Sequence, residues 1–206
     1  MSIQQDPDFT QNGIELPNRI FFTGVAGSRW SGIAQTLEQL DGFNTSDRTP
    51  EREFTHTGFT GHKGAYFGHG MEFAPWPDSE YVDSAWTNPG GTRIVKSHDW
   101  AYLLDEIKQK FPKDWIMLVY RPDMASYAWW FEAGGFNIKY PNYSHYKDPA
   151  TMLGEIDKQN AAILEFGQRH NLTWNYFTPD WIEKNFGQQT EVKKTWSDIL
   201  VTLLKP

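Results

Sequence analysis

The run Trp115-Ile116-Met117-Leu118-Val119-Tyr120 limits the possible folds more than any other stretch of this chain. It is continuously apolar, with none of the alternation of a strand that keeps one face in water. Such a strand is buried on both faces, as in a parallel sheet covered by helices. Arg121-Pro122-Asp123 follows it, and Pro122 suits a helix start, with Gly134-Gly135 at that helix's end. Arg19 to Thr23, bounded by Gly24, and Arg93 to Lys96 read as further strands. Helical spacing joins Ile33, Leu37 and Leu40 before Gly42, and Leu103, Leu104, Ile107 and Phe111 before Pro112. A helix over 149–170 carries Leu153, Ile156, Ile163 and Leu164 on one side, and Asp99 is a candidate N-cap. Residues 172–177 read as a strand, 179–187 as a short helix and 190–204 as a terminal helix. The alternation predicts a doubly wound α/β fold: a central, mainly parallel sheet flanked by helices.

A chain of 206 residues is long enough for one domain with a sizeable core, and we expect residues 1–206 to form a single domain. Residues 1–17 read as a loose leader. Residues 43–92 form an irregular insert rich in glycine, histidine and aromatic residues, in which short strands or hairpins fit. A linker would not carry so many large rings, so the insert reads as a binding lobe. Ten tryptophans and 16% aromatic residues point to an aromatic cleft as well as a core. A formal charge of −7 argues against broad, non-specific binding to nucleic acid, while leaving room for a small anion held by a local cluster of donors. The absence of cysteine excludes disulfides, thiolate metal sites and a cysteine nucleophile. The polar N-terminus lacks a basic n-region and an apolar h-region, and no stretch has the apolar length of a membrane span. The expectation is a soluble, cytoplasmic protein without membrane contact, which makes the N-x-[ST] triplets at Asn44, Asn142 and Asn171 chance matches.

Ligands of doubly wound sheets lie beyond the carboxyl ends of the strands, and three segments there carry chemistry. The first is Gly24-Val25-Ala26-Gly27-Ser28-Arg29-Trp30-Ser31-Gly32. A glycine loop entering a helix offers unpaired N–H groups to an anion; the competing reading is a tight strand-to-helix turn. The lysine of the phosphate-loop pattern G-x-x-x-x-G-K-[ST] is missing. The second is Lys96-Ser97-His98, where the histidine is either a general base or a hydrogen-bonded structural residue. The third is Arg121 followed by Ser126 and Tyr127, where the guanidinium either binds an anion or pairs with Asp123 or another carboxylate.

Taken in this order, the three segments resemble the family of sulfotransferases that use 3′-phosphoadenosine 5′-phosphosulfate (PAPS). Gly24, Ser28, Trp30 and Ser31 lie along that family's phosphosulfate loop, Lys96-Ser97-His98 looks like its K-[ST]-H element, and Arg121 through Ser126 looks like its 3′-phosphate element. The similarity covers residues 19–41 and 93–133. Three departures stand out. Gly27 occupies the place of the basic residue before Ser28, and Arg29 that of the following glycine. The Arg121 element is short, so that Tyr127 shares or replaces the role of Ser126. Lys194-Thr195-Trp196 is only a faint echo of the family's C-terminal G-x-x-G-x-W-K.

The resemblance implies a P-loop-type fold and transfer of a sulfuryl group from PAPS to a hydroxyl or amine, with no metal. It implies that His98 removes the acceptor's proton, a step usually worth about 10²–10⁴-fold, and that Lys96 and Arg29 neutralise charge. Gly24 to Gly32 would hold the phosphosulfate, and Arg121 with Ser126 or Tyr127 the 3′-phosphate. Trp30 is either an adenine platform or a core residue. A small-molecule or glycan acceptor is expected near His62, Phe67, His69, Trp129 and Trp130. His56, His62, His69 and Glu72 are too irregularly spaced to read as a metal site. The rivals are a degenerate sulfotransferase-like module that binds carbohydrate or a partner without turnover, and a P-loop nucleotide phosphotransferase. The second lacks both the Walker lysine and a carboxylate ending a hydrophobic strand.

Overall fold

A computed structural model describes residues 10–11, 13–50, 53–54, 65–66, 83–137, 144–192 and 197–206. Strands β1 (Thr10–Gln11) and β2 (Ile14–Glu15) form a small antiparallel pair. The main chain path then runs β3 (Arg19–Thr23), α1 (Trp30–Leu37), β4 (Glu53–Phe54), β5 (Ala65–Tyr66), β6 (Arg93–Lys96) and α2 (Leu104–Lys110). It continues β7 (Trp115–Tyr120), α3 (Asp123–Glu132), α4 (Pro149–Arg169), β8 (Asn175–Tyr176), α5 (Pro179–Phe186) and β9 (Leu200–Leu204). The result is an α/β fold around an open five-stranded sheet, ordered β6-β3-β7-β9-β8. Strands β4 and β5 pair antiparallel, so the insert does contain a short two-stranded ladder.

The apolar run is the sheet's interior strand. Ile116 and Leu118 face one core with Phe21, Val95, Ile156 and Phe166. Trp115, Met117 and Val119 face the other with Ile20, Phe22, Ile33, Leu37 and Phe186. Both faces are covered by helices, which is why no polar alternation appears in the sequence. Arg19 ties the strand starts together: its guanidinium pairs with Asp83 and, at 2.8 Å, with Asp114 just before β7.

Four expectations are corrected. The sheet is mixed rather than mainly parallel: β6, β3 and β7 are parallel, while β7–β9 and β9–β8 are antiparallel. The predicted terminal helix over 190–204 is replaced at its end by β9, which pairs with β7 from Ile116↔Leu204 to Tyr120↔Leu200. A short apolar run fits a buried strand or a buried helix equally well by periodicity, and here the open edge of β7 takes it as a strand. The strand read over 172–177 shrinks to Asn175–Tyr176. Asp99 is not a cap either: Ser97 accepts the Asp99 N–H and opens a 3₁₀ turn, His98–Tyr102. Asp148 caps α4 through the Thr151 N–H, with Pro149 at the first position. Thr178 caps α5, which stops at Gly187 in the left-handed conformation. Among the described residues no helix is long and apolar enough to cross a membrane.

Candidate functional site

Because β6, β3 and β7 are adjacent and parallel, their carboxyl ends lie side by side. The three chemistry-bearing segments therefore converge. The loop after β3 is central, with Lys96-Ser97-His98 on one flank and Arg121 on the other.

The central loop turns at Val25–Ser28, where the Ser28 N–H donates to the Val25 carbonyl at 3.0 Å. Gly27 has φ 77°, and a Cβ there would lie 1.9 Å from the Ser126 carbonyl oxygen. The loop thus rests directly on the first turns of α3, and only glycine allows that approach. Arg29 also has a positive φ, 69°, and enters α1 without a side-chain cap; the helix's first turn holds no acidic residue. The left-handed conformation costs a non-glycine residue about 1–2 kcal/mol, so Arg29 is held there by its surroundings. Ser28 is completely buried and its hydroxyl has no hydrogen-bond partner. An uncapped helix start beside an orphaned hydroxyl is chemistry suited to an anion.

Two guanidiniums border this loop. Arg29 lies over the Trp129 ring, 3.8 Å from its centroid. Burial pushes the Arg29 pKa down, Arg121 lowers it further and Asp198 opposes the shift. Arg121 donates to the Gly27 carbonyl at 2.9 Å and to the Asp198 carboxylate at 2.8 Å through Nε, with NH2 2.7 Å from the same oxygen. Its carboxylate partner is therefore Asp198, not Asp123, whose oxygen accepts from Asn160. The Ser126 hydroxyl donates to the Arg121 carbonyl at 3.3 Å, and Tyr127 is packed edge-on to Phe136.

On the other flank His98 is 1% exposed. Its Nδ1–H donates to the Gly24 carbonyl, which leaves Nε2 as the basic nitrogen. Trp30 stacks on the imidazole with centroids 4.1 Å apart, and Tyr146 meets it edge-on at 6.1 Å. Burial lowers the His98 pKa to about 3; the Gly24 bond opposes this, and His145 and Lys96 add to it. Lys96 is itself 2% exposed, on the last position of β6.

The remaining sequence candidates divide. The Trp30 ring lies in the core between Phe22 and His98, so only its backbone N–H remains for a ligand. Trp130 is likewise a core ring, 6% exposed and 4.5 Å from Tyr146. Trp129 lies beneath Arg29. His62, Phe67, His69 and Lys194-Thr195-Trp196 lie outside the described residues. Sequence reasoning missed three contributors. Asp198 acts on Arg121 from 77 positions away, a separation that leaves no local signal. Asn160 holds the Arg121 carbonyl at 2.8 Å from the middle of α4. His145 reaches His98 electrostatically from a 3₁₀ turn, Ser144–Lys147; its pKa is lowered by burial and raised in part by Glu155. Comparison with protein-family models, with curated proteins and with solved structures finds no match for this chain.

Proposed function

We propose that this chain binds 3′-phosphoadenosine 5′-phosphosulfate on a P-loop-type scaffold and transfers its sulfuryl group to a hydroxyl or amine acceptor. The observation that carries the reading is the convergence of three segments on one loop: His98 bonded to Gly24, Arg121 bonded to Gly27, and Arg29 at an uncapped helix start near Arg121. The donor set fits the anionic end of such a nucleotide, since the buried Ser28 hydroxyl is unpartnered. PAPS supplies the sulfuryl group.

The chain's residues position and neutralise. Ser28 and the N–H groups at the start of α1 hold the phosphosulfate, and Arg29 balances its charge with a planar fork suited to phosphate oxygens. Lys96 adds a fixed positive charge beside His98. With Nδ1–H fixed on Gly24, His98 directs Nε2 at the acceptor's proton. Arg121 holds the 3′-phosphate once that phosphate replaces Asp198 as its anionic partner. Trp129, beneath Arg29, borders the acceptor, a small molecule or glycan, and no metal takes part.

A second reading has its own support: His98 is sealed and acid-shifted, and Arg121 already holds a carboxylate. Both features suit a module of sulfotransferase-like fold that binds carbohydrate or a partner without turnover. Calorimetry with 3′-phosphoadenosine 5′-phosphate separates the two. Micromolar binding is the transferase result; no binding, with glycan binding retained, is the module's. Magnesium-dependent binding of ATP in its place would turn the reading to phosphoryl transfer.

A further inference from the structure

Asn160 is 2% exposed and lies near the middle of α4, on the side that buries Ile156 and Ile163 in one core. A leucine would suit that position better, since asparagine is a weaker helix former and brings polar atoms into an apolar contact. Its amide instead donates from Nδ2 to two acceptors, the Arg121 carbonyl at 2.8 Å and the Asp123 carboxylate at 2.6 Å. Its Oδ1 is buried and has no hydrogen-bond partner. The two acceptors decide the orientation, because a flipped amide would turn that oxygen on a carbonyl and a carboxylate. A buried acceptor left unpaired costs free energy, so the two donated bonds hold Asn160 in place against that cost.

The consequence falls on Arg121. Asp123 opens α3 only two positions after Arg121, which makes it the nearest carboxylate along the chain. The two side chains nevertheless turn apart. Asp123 engages Asn160 on α4, while the guanidinium reaches the Gly27 carbonyl at 2.9 Å and the Asp198 carboxylate at 2.8 Å. The Ser126 hydroxyl shares the Arg121 carbonyl with Asn160, so the backbone at Arg121 is held from both α3 and α4. A guanidinium pairs readily with any carboxylate that meets its planar fork. Asn160 removes the nearer of two from that competition.

We propose that Asn160 is a positioning residue: by holding the Asp123 carboxylate and the Arg121 carbonyl, it keeps the Arg121 guanidinium turned to the loop after β3. This choice between carboxylates stands on the hydrogen bonds alone, whereas its effect on a 3′-phosphate rests on the nucleotide reading above. A purely structural tie between α3 and α4 would change stability and leave the choice of carboxylate as it is.

The test follows the Arg121 side-chain Nε–H by NMR in the full, nucleotide-free chain. Asp198→Asn is expected to move this signal, and Asp123→Asn to leave it nearly in place. In Asn160→Leu the dependence should reverse, with Asp123→Asn now moving the signal and Asp198→Asn not. Calorimetry then reads the consequence. Asn160→Leu should weaken 3′-phosphoadenosine 5′-phosphate by about twofold to fivefold, and adding Asp123→Asn should restore it. The proposal is overturned if the signal in Asn160→Leu still answers to Asp198 alone, or if Asp123→Asn fails to restore a weakened nucleotide. It is also overturned if Asp123→Asn moves the signal in the otherwise unaltered chain as far as Asp198→Asn does, an outcome that requires no Asn160 variant to fold. Absence of nucleotide binding by the unaltered chain would overturn the nucleotide reading, and the NMR comparison would still decide the role of Asn160.

Discussion

His98 stands in the fold as a neutral imidazole, because burial makes the charged form costly and the Gly24 carbonyl fixes which nitrogen bears the proton. Its pKa falls from 6.5 in the unfolded chain to about 3 in the folded one. Between those values the unfolded chain binds the extra proton, so stability drops as pH falls, by about 1.4 kcal/mol per pH unit from this residue. Above pH 6.5 the term is absent, and below pH 3 it has levelled off. Urea unfolding from pH 7 to pH 4 should show this slope, and His98→Asn should reduce it by about one proton while keeping a donor to Gly24. An equal slope in both proteins would show that His98 is charged in the folded state. The Arg121–Asp198 pair makes a separate prediction. Asp198 is 41% exposed and Arg121 13%, so the pair contributes only about 0.2–1 kcal/mol to stability. If Asp198 occupies the place of the 3′-phosphate, Asp198→Asn should tighten 3′-phosphoadenosine 5′-phosphate by about twofold to fivefold. Weaker binding in that variant would make Asp198 a support for Arg121 and not a competitor.

At the scale of elements, the loop after β3 is built around the contact between Gly27 and α3. Gly27→Ala adds a left-handed strain of about 1–2 kcal/mol and an overlap with the Ser126 carbonyl, and should destabilise by at least about 2 kcal/mol. Gly154, on the exposed side of α4 with nothing within 4 Å of an added Cβ, provides the contrast. Gly154→Ala should stabilise by about 0.8–1 kcal/mol, and thermal unfolding of the two variants checks both signs. Much of this architecture was legible in the sequence. The apolar run at Trp115–Tyr120, the strand before Gly24 and the periodic helix over Pro149–Arg169 each follow from burial on one or both sides. The last strand was not, because Leu200–Leu204 is too short for its period to decide, and the signal available was its Val201 and Thr202. The site was half legible. Loop, histidine and arginine stand at strand ends, where local sequence shows them. Asp198, Asn160 and His145 reach the site only through the folded topology, and local sequence says nothing of such contacts.

At the scale of the whole molecule, the sheet joins a parallel half to an antiparallel half. The parallel half, β6-β3-β7, gathers cations and helix N–H groups at its carboxyl ends. The antiparallel half is short at its outer edge, where β8 pairs only with Leu200 and Val201 of β9. The central claim concerns the first of these: that the loop and Arg121 together recognise a nucleotide phosphorylated at the 3′ position. Calorimetry of Arg121→Ala against 3′-phosphoadenosine 5′-phosphate and against the same nucleotide with a 3′-hydroxyl tests it most directly. The expected result is a loss of at least about tenfold for the 3′-phosphate and little change for the 3′-hydroxyl. Equal loss for both nucleotides, or no binding of either by the unaltered chain, would contradict it.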